Sequence, residues 1–521
     1  MLDAKKVILT LADNTTNTIT DSSRLSTEED YSAAIYSKED LIINGNGTLN
    51  VNAGYRNGIK STDDCIIVSG TLNITSTEDG IIGKDLCGIV AGDININAGS
   101  DGIKSTYDTD TTKGNVIIEG GNITIKASND GIQAENILVI NDGTINIKTN
   151  NGAADTTQTH IDNMDMGRGG FGFNNNKTTT TTDDTSESRK GIKAGNMLII
   201  NDGDITIDSD DDSVHCNSVI YIYGGTINAA TGDDGVHADD LLTVNGGTIN
   251  ITQCYEGLEA DDIVINDGDI SVVSSDDGIN SSDGSITING GNLLINASGD
   301  GLDANGSIII NGGYIVVLGP TSDGDTAIDY DDSCTINGGT VMAFGSSGML
   351  EIPKGASNGA CIVTAFTSVS GGSKYTLSDS NGNEILSYTP SKAYAAAIVY
   401  SDKITTGNTY NITAGSTTLS IEVTSDVTSN VSSGFGGAGG MNKPGNGGSG
   451  MPNNGSSDNG MNGNSNGSMP DMSGNGAPDM NGNSSGDMPS MGGNSSNNGG
   501  NMPNMNNGSS NGSAPQMNNR M

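Results

Sequence analysis

Acidic residues recur along the sequence at a near-constant interval, in most repeats directly before a glycine. The usual step is 22 residues, and a second acid often stands beside the first. The acids at this position are Asp79, Asp101, Asp130, Asp212, Asp234, Glu256, Asp277 and Asp300, and the additional acids are Asp211, Asp233 and Asp276. Among the acids at this position, Asp212 is followed by a serine in place of the glycine. If residues one step apart stack, these carboxylates repel one another by kilocalories unless protons or cations neutralise them.

A second series of residues lies three positions after the first and changes character along the chain. It reads Lys60, Lys104, Gln133, Lys193, His215, His237, Glu259, Asn280, Asp303 and Asp329. Lysines therefore give way to histidines and then to acids, so the density of carboxylates rises toward the C-terminal half. Carboxylate and amide oxygens presented several at a time are the ligands that Ca²⁺ prefers.

The crowded acids predict two calcium sites. The first comprises Asp211, Asp212, Asp233, Asp234 and Glu259, and the second comprises Asp276, Asp277, Asn280, Asp300 and Asp303. The alternative is that the acids only cap turns and keep the protein soluble. His215 and His237 are poor calcium ligands, and we expect them to line the neighbouring groove. Zinc is not expected, because the three histidines and the buried cysteines do not form ligand-spaced pairs in the sequence.

The elements that must position these residues are short strands. Two phrases, one of the form Asp-Gly-Ile and one of the form Asn-Gly-Gly-Thr-Ile, repeat with the same step and out of phase. Apolar residues alternate around them, as in Ile123 and Ile125 or Val116 and Ile118, which is strand periodicity. Three strands per repeat, separated by Gly, Asn and Asp corners, predict an all-β protein folded as a right-handed parallel β-helix.

The repeat also sets the domain boundaries. It covers residues 1–345, with a polar insertion at 151–189 that we expect to form a flexible loop. Residues 346–428 lose the repeat and are predicted to form a small β subdomain that covers the end of the helix. Residues 429–521 consist of Gly, Asn, Ser, Met and Pro, a composition typical of disorder. Cys65, Cys87 and Cys334 fall on inward positions, so we expect buried free thiols.

Composition narrows the partners and the location. A formal net charge of −41 argues against nucleic acid, because phosphate binding needs the opposite sign. No apolar stretch is long enough for a membrane-spanning helix. The first predicted strand starts at Lys6 with nothing before it to cover the first turn, so we expect the sequence to begin inside a larger protein. The expected state is a monomer, outside the cell or at its surface, whose signal peptide is missing from this sequence.

Several phrases carry a resemblance to a known family. The sequence resembles a clostridial family of secreted carbohydrate-binding β-helix proteins. The resemblance lies in Asp233 to His237, Tyr255 to Glu259 and Asp329 to Asp331, and in the Asn-Gly-Gly-Thr corners. That family is similar in fold to polysaccharide lyase family 9. The resemblance covers roughly residues 20 to 425 and implies binding of cellulose and acidic plant sugars with calcium. The lyases carry an Asp-Asp-Gly-x-Asp phrase, whose last acid is here His237, Glu259 or Asn280.

Three functions are compatible with these features. The first is non-catalytic, calcium-dependent binding of cellulose or an acidic plant polysaccharide such as pectin, with His215, His237, Tyr255 and Tyr330 as the expected sugar contacts. The second is a calcium-dependent, pectate-lyase-like enzyme, for which Lys193 is the best-placed base. The third is a structural cell-surface adhesin in which the helix is a spacer. No residue is assigned a catalytic role under the first reading.

Overall fold

The computed structural model describes residues 4–22, 31–153 and 188–431 as an all-β protein. Most of the strands lie on three faces, which we call A, B and C in the order in which each turn visits them. On each face, a strand pairs in parallel with the strand one turn away. The protein is thus a parallel β-solenoid of about 13 turns, which confirms the predicted fold.

The strands of each face have similar lengths from turn to turn. Face A contains Ala33–Ser37, Asn57–Ser61, Ile81–Gly83, Ile103–Ser105, Ile132–Ala134, Ile192–Ala194, Val214–Cys216, Ile279–Ser281, Leu302–Ala304 and Ile328–Tyr330. Face B contains Lys6–Leu11, Asp40–Gly45, Asp64–Ile67, Leu86–Ile89, Asn115–Ile118, Ile137–Ile140, Met197–Ile200, Val219–Ile222, Ile286–Ile288, Ser307–Ile310, Ser333–Ile336 and Gly355–Ala356. Val236–Val244 and Leu258–Ile265 each run through faces A and B without a break.

Face C forms the most regular sheet of the solenoid. Its strands are Thr16–Asp21, Thr48–Ala53, Thr71–Ser76, Asp93–Ala98, Asn122–Ala127, Thr144–Thr149, Asp204–Ser209, Thr226–Thr231, Thr248–Cys254, Asp269–Ser274, Asn292–Asn296, Tyr314–Leu318 and Thr340–Gly345. From Thr48–Ala53 onward, the glycine that precedes each of these strands turns the corner from face B. Gly225, for example, has a φ of +81°, a conformation that side chains with a Cβ rarely adopt.

The core consists of inward-facing aliphatic residues that stack from turn to turn. On face B, Ile220 pairs with Leu242, which in turn pairs with Ile263, and none of the three is exposed. Cys65 and Cys87 occupy paired inward positions of the same face. All six cysteines are buried and free, as the sequence predicted for Cys65, Cys87 and Cys334.

A row of asparagines follows one corner of the solenoid. The Asn266 amide donates to Asn245 Oδ1 at 2.9 Å, and Asn289 donates to Asn266 at 2.8 Å. Asn311 and Asn337 continue the row in the same way. The bonds run from amide to amide, because each asparagine lies directly over the previous one.

A β subdomain follows the last complete turn. Tyr394–Ser401 pairs antiparallel with the last face C strand and with Ala360–Val369, which pairs in turn with Val427–Ser429. A second sheet contains Tyr375–Asp379, Glu384–Tyr388, Thr409–Ala414 and Thr417–Glu422. Phe344 packs edge-on against Tyr375, with their ring centroids 5.4 Å apart, so the subdomain buries an aromatic side chain of the last turn.

Two of the sequence predictions lie mostly or wholly outside the described residues. These are the flexible loop at 151–189, of which the structure describes 151–153 and 188–189, and the disordered tail, of which it describes 429–431. Among the described residues, no helix has the length and apolarity needed to cross a membrane.

Candidate functional site

The acids before the repeated glycine form a column along the corner between faces C and A. In every aspartate of the column, one carboxylate oxygen accepts a backbone N–H from the next turn. Asp212 Oδ1 accepts from Asp234 N at 3.1 Å, and Asp277 Oδ1 accepts from Asp300 N at 2.6 Å. The same bond joins Asp130 N to Asp101 in an earlier turn. These acids therefore cap turns, as the alternative interpretation held, and each retains a second oxygen for other partners.

The residues three positions later form an outward-facing row on face A. Lys193 pairs with His215, His215 with His237, and His237 with Glu259. The row then continues through Asn280, Asp303 and Asp329. Side chains one turn apart in the sequence therefore lie directly over one another, which is the arrangement that the predicted clusters required.

In the first predicted calcium cluster, a lysine supplies positive charge. Oxygen atoms of Asp211, Asp212 and Asp233 come within 4.8 Å of one another. Lys190 Nζ lies 3.0 Å from Asp211 Oδ1 and 2.5 Å from Asp212 Oδ2. Burial lowers the pKa of Lys190, but the two carboxylates outweigh burial and hold this pKa well above its usual value. The ammonium thus neutralises part of the charge for which we had expected calcium.

The same lysine acts on Asp212 in return. Burial raises the pKa of Asp212, but Lys190 and His215 outweigh it and keep this pKa well below its usual range. Asp233 behaves in the opposite way, because burial and the charges of Asp234 and Asp212 raise its pKa to about 8. The first predicted cluster is therefore divided into a lysine-paired part and a part that favours protonated acids.

Two histidines complete this region, and we call His215, His237, Asp212, Asp234 and Glu259 the histidine cluster. The rings of His215 and His237 pack edge to face, with centroids 4.9 Å apart. His215 Nδ1 lies 2.9 Å from Asp212 Oδ2, and His237 Nδ1 lies 3.3 Å from Glu259 Oε2. The sequence argument against zinc considered spacing along the chain, whereas stacking brings together residues one turn apart.

The second predicted cluster contains only carboxylates, and we call Asp277, Asp300 and Asp303 the acidic cluster. Their oxygen atoms lie within 4.8 Å of one another. Burial, with the neighbouring charges, raises the pKa of Asp277 to about 8, of Asp300 to about 9 and of Asp303 to about 7. In residues 4–22, 31–153 and 188–431, none of the three forms an ion pair with a basic side chain.

The two other residues assigned to the second cluster have different positions. Asp276 lies outside the converging group and acts through its charge, which contributes to the raised pKa of Asp277. The Asn280 amide donates to Glu256 Oε2 at 2.8 Å. Burial and the charge of Glu259 nevertheless raise the pKa of Glu256 to about 9, so the crowding of acids extends one turn below the acidic cluster.

The tyrosines expected to contact sugar differ in exposure. Tyr330 is only 7% exposed, its hydroxyl donates to Ile352 O at 2.6 Å, and Lys354 Nζ lies 5.2 Å from its ring centroid. A ring this buried offers no face to a sugar, so the structure corrects the expectation for Tyr330. Tyr255 is half-buried.

A pair of aromatic rings was missed by the sequence reasoning. Tyr221 and Tyr223 stack with centroids 6.3 Å apart and an interplanar angle of 24°, and Tyr223 is 52% exposed. Tyr223 occupies the position that the asparagine row would fill in its turn, between Asn201 and Asn245. That break in the row was a signal in the sequence that could have identified the pair.

The lysines near the acids bear on the lyase alternative. Lys193 lies on the outward row as predicted, and its Nζ is 3.2 Å from Ser188 Oγ. Lys190, which the sequence reasoning did not single out, is closer to the carboxylates. Its raised pKa keeps it protonated at neutral pH, so it is unsuited to remove a proton from a substrate.

Comparison with known proteins gives a family-level match. The model of a family described as carbohydrate-binding domain-containing protein matches residues 1–235 and 233–422. A carbohydrate-binding domain-containing protein of Acetivibrio thermocellus is 39% identical over 75 residues, which is 14% of this chain and 26% of that protein. The chain thus matches about a quarter of the length of this relative. No solved structure matches the chain.

Proposed function

This chain belongs to the family of carbohydrate-binding domain-containing proteins, and from that premise we propose that it binds plant polysaccharide, without cleaving it, through calcium held by its acidic turns. The observation that carries the proposal is the extent of the family match, which runs through the whole solenoid and into the β subdomain. The candidate ligands are an acidic polysaccharide such as pectin and the neutral polysaccharide cellulose.

The acidic cluster is the best candidate for the calcium site. Asp277, Asp300 and Asp303 converge without a basic partner in the described part of the chain, and their raised pKa values reflect the cost of placing several negative charges together. Ca²⁺ accepts six to eight oxygen ligands. Three carboxylates leave positions for water and for a carboxylate of a uronic acid. Calcium bound in this way would bridge two negatively charged surfaces that otherwise repel.

Neutral sugar rings require a different contact. The exposed face of the Tyr221–Tyr223 pair offers the apolar surface on which a sugar ring stacks. Tyr255, in the next turn but one, remains a predicted contact. Binding through the tyrosines does not need calcium, so the effect of a chelator distinguishes the two modes.

Affinity electrophoresis of the full chain tests the proposal. Gels containing polygalacturonate or a soluble cellulose derivative are run with calcium and with chelator. We expect retardation in polygalacturonate that the chelator abolishes. Asp300→Asn should weaken this retardation at least about tenfold, because it removes one of three charged ligands. The control Asp267→Asn changes the same charge at an exposed corner and should migrate like the wild type.

Two outcomes would overturn the proposal. Absence of retardation in every gel would favour the spacer function. Unsaturated sugar products, detected by ultraviolet absorbance after incubation with polygalacturonate and calcium, would show that the protein is a lyase.

A further inference from the structure

The histidine cluster has features that turn capping does not explain. His215 is 91% buried, since its exposed fraction is 9%. Its Nε2 lies 2.9 Å from Asn217 Oδ1, an acceptor, so Nε2 carries a proton. In the neutral ring, Nδ1 then presents a lone pair. This nitrogen is 2.9 Å from Asp212 Oδ2 but is not aligned for a hydrogen bond, and it has no hydrogen-bond partner.

A lone pair held 2.9 Å from a carboxylate oxygen is repelled unless a proton or a metal ion lies between the two atoms. A metal ion satisfies this requirement without hydrogen-bond alignment, because both atoms then point at the ion and not at each other. The contact from Nε2 to Asn217 is also what metal-ligating histidines use, since the second ring nitrogen donates to an acceptor that fixes the ring.

His237 repeats this arrangement one turn further along. Its Nε2 faces Asp239 Oδ1 at 3.7 Å, and Asp239 stands two residues after the histidine, as Asn217 does. Its Nδ1 faces the carboxylates, 3.3 Å from Glu259 Oε2 and 3.5 Å from Asp234 Oδ2. Both rings therefore direct Nδ1 toward the acids and Nε2 toward a polar side chain.

The distances suit a small divalent ion. Metal–ligand bonds of about 2.1 Å place neighbouring ligand atoms about 3.4 Å apart in a tetrahedral site. The separations of His237 Nδ1 from the Glu259 and Asp234 oxygens, 3.3 and 3.5 Å, are close to this value. We propose that the histidine cluster binds one divalent first-row transition metal ion, such as Zn²⁺, through Nδ1 of both histidines and the surrounding carboxylates.

Ligand type favours such an ion over calcium. Imidazole nitrogens are common ligands of zinc, copper, iron and nickel, whereas calcium takes oxygen. Lys190 contacts only Asp212 among the three carboxylates of the cluster. Burial lowers the pKa of His237, but Asp234, Asp212 and Glu259 outweigh burial and raise this pKa to about 10, so a metal ion must displace the proton on Nδ1. In the described part of the chain, Asp234 and Glu259 have no basic partner other than His237. An incoming ion competes with Lys190 for Asp212 Oδ2, so Glu259 and Asp234 are the carboxylates it uses most readily.

This inference does not depend on the proposed function. The histidine cluster and the acidic cluster share no residue, so either ion can bind without the other. If the protein does not bind zinc, its calcium-dependent retardation in polygalacturonate is still tested by the separate electrophoresis experiment.

Titration of the full chain with Zn²⁺ or Co²⁺ tests the inference. We expect one equivalent to bind, and Co²⁺ to develop visible absorption bands as it enters the site. His215→Ala and His237→Ala should each weaken binding at least about tenfold, and the double variant should lose the equivalent. Asn217→Ala should weaken binding about tenfold by freeing the His215 ring. The control Asp300→Asn should bind Zn²⁺ like the wild type.

A second measurement uses the wild-type protein alone, so it does not depend on how the variants fold. Nitrogen-15 NMR of the histidine rings should show Zn²⁺ shifting Nδ1 of His215 and His237 while Nε2 keeps its proton. Unchanged Nδ1 resonances, no binding of Zn²⁺, or an undiminished equivalent in the folded double variant would each overturn the inference.

Discussion

Two regions of the solenoid use the same column of acids in different ways. In the earlier turns, which we call the paired region, carboxylates have basic partners. Lys104 bonds Asp101 at 2.6 Å, and Lys190 bonds Asp212. Beside the column, Arg56 bonds Glu78 at 2.8 Å. We call the later turns, from Glu256 to Asp303, the acidic region. Its carboxylates have no lysine or arginine partner in the described part of the chain.

The difference shows that capping and ion binding are separate properties of one residue. In both regions, one oxygen of the acid accepts the backbone N–H of the next turn, as Asp212 and Asp277 both do. Only the second oxygen distinguishes them, because it meets Lys190 in one case and other carboxylates in the other. The repeat therefore determines which backbone N–H the first carboxylate oxygen accepts. The neighbouring side chains determine which groups the second oxygen contacts.

Substitutions in the hydrophobic core should destabilise the paired region and the acidic region to a similar extent. Ile118→Asp in the paired region and Ile288→Asp in the acidic region each place a charge where the side chain is fully buried. We expect both to lower the free energy of unfolding by more than about 4 kcal/mol, or to prevent folding. Denaturant unfolding followed by circular dichroism measures the effect.

The outward neighbours serve as controls for these core variants. Ile117→Asp and Thr287→Asp introduce the same charge on the outer side of the same strands, where the side chains are half-buried. We expect a much smaller loss of stability in both. If the core substitution strongly lowers the free energy of unfolding in one region and only weakly lowers it in the other, the two regions differ in packing as well as in charge.

Asparagine at equivalent positions of the acid column should have opposite effects in the two regions. Asp212→Asn and Asp277→Asn both keep the oxygen that accepts the N–H of the next turn. Asp212→Asn leaves Lys190 with Asp211 as its remaining carboxylate partner and should cost about 2–3 kcal/mol. Asp277→Asn removes a charge from a repulsive group and should stabilise the metal-free protein by about 1–3 kcal/mol at about pH 9. Unfolding in chelator measures both, and equal signs would contradict the division.

The pH dependence of stability provides a second measure of the difference between the paired region and the acidic region. The pKa values of Asp277, Asp300 and Glu256 are raised to about 8, 9 and 9, above those of unfolded acids. The folded state therefore holds more protons than the unfolded state between about pH 4 and pH 9. Metal-free stability should fall as the pH rises through this window. Calcium should reduce the fall, and a metal-free melting temperature that rises from about pH 5 to about pH 9 would contradict the assignment.

The sequence was sufficient to predict the fold and the stacking of the ladder. Strand periodicity and a constant step determine which side chains point inward and which residues lie over one another, so the alignment of Lys193, His215 and His237 followed directly. The family resemblance followed from the same repeated phrases, and the family match confirms it.

The sequence did not predict which contacts each stacked side chain makes. Lys190 stands where most turns have an acid, and its direction toward Asp211 and Asp212 depends on side-chain conformation. The burial of Tyr330 depends on the chain that follows it, since Ile352 accepts its hydroxyl. A repeat defines the position of a residue within its turn, but contacts made by departures from the repeat require three-dimensional coordinates.

The asparagine row gives the smallest and most selective test of the comparison, because it is uncharged. Asn289 takes part in two amide bonds, to Asn266 and from Asn311, whereas Asn201 in the earlier turns donates one to Asn141. At about 0.5 kcal/mol for each exposed bond, Asn289→Ala should cost about 1 kcal/mol and Asn201→Ala about half of that. Neither cost should change between about pH 5 and about pH 9. A cost for Asn289→Ala that varies with pH would show that the row is coupled to the acidic region, and charge alone would then no longer separate the two regions.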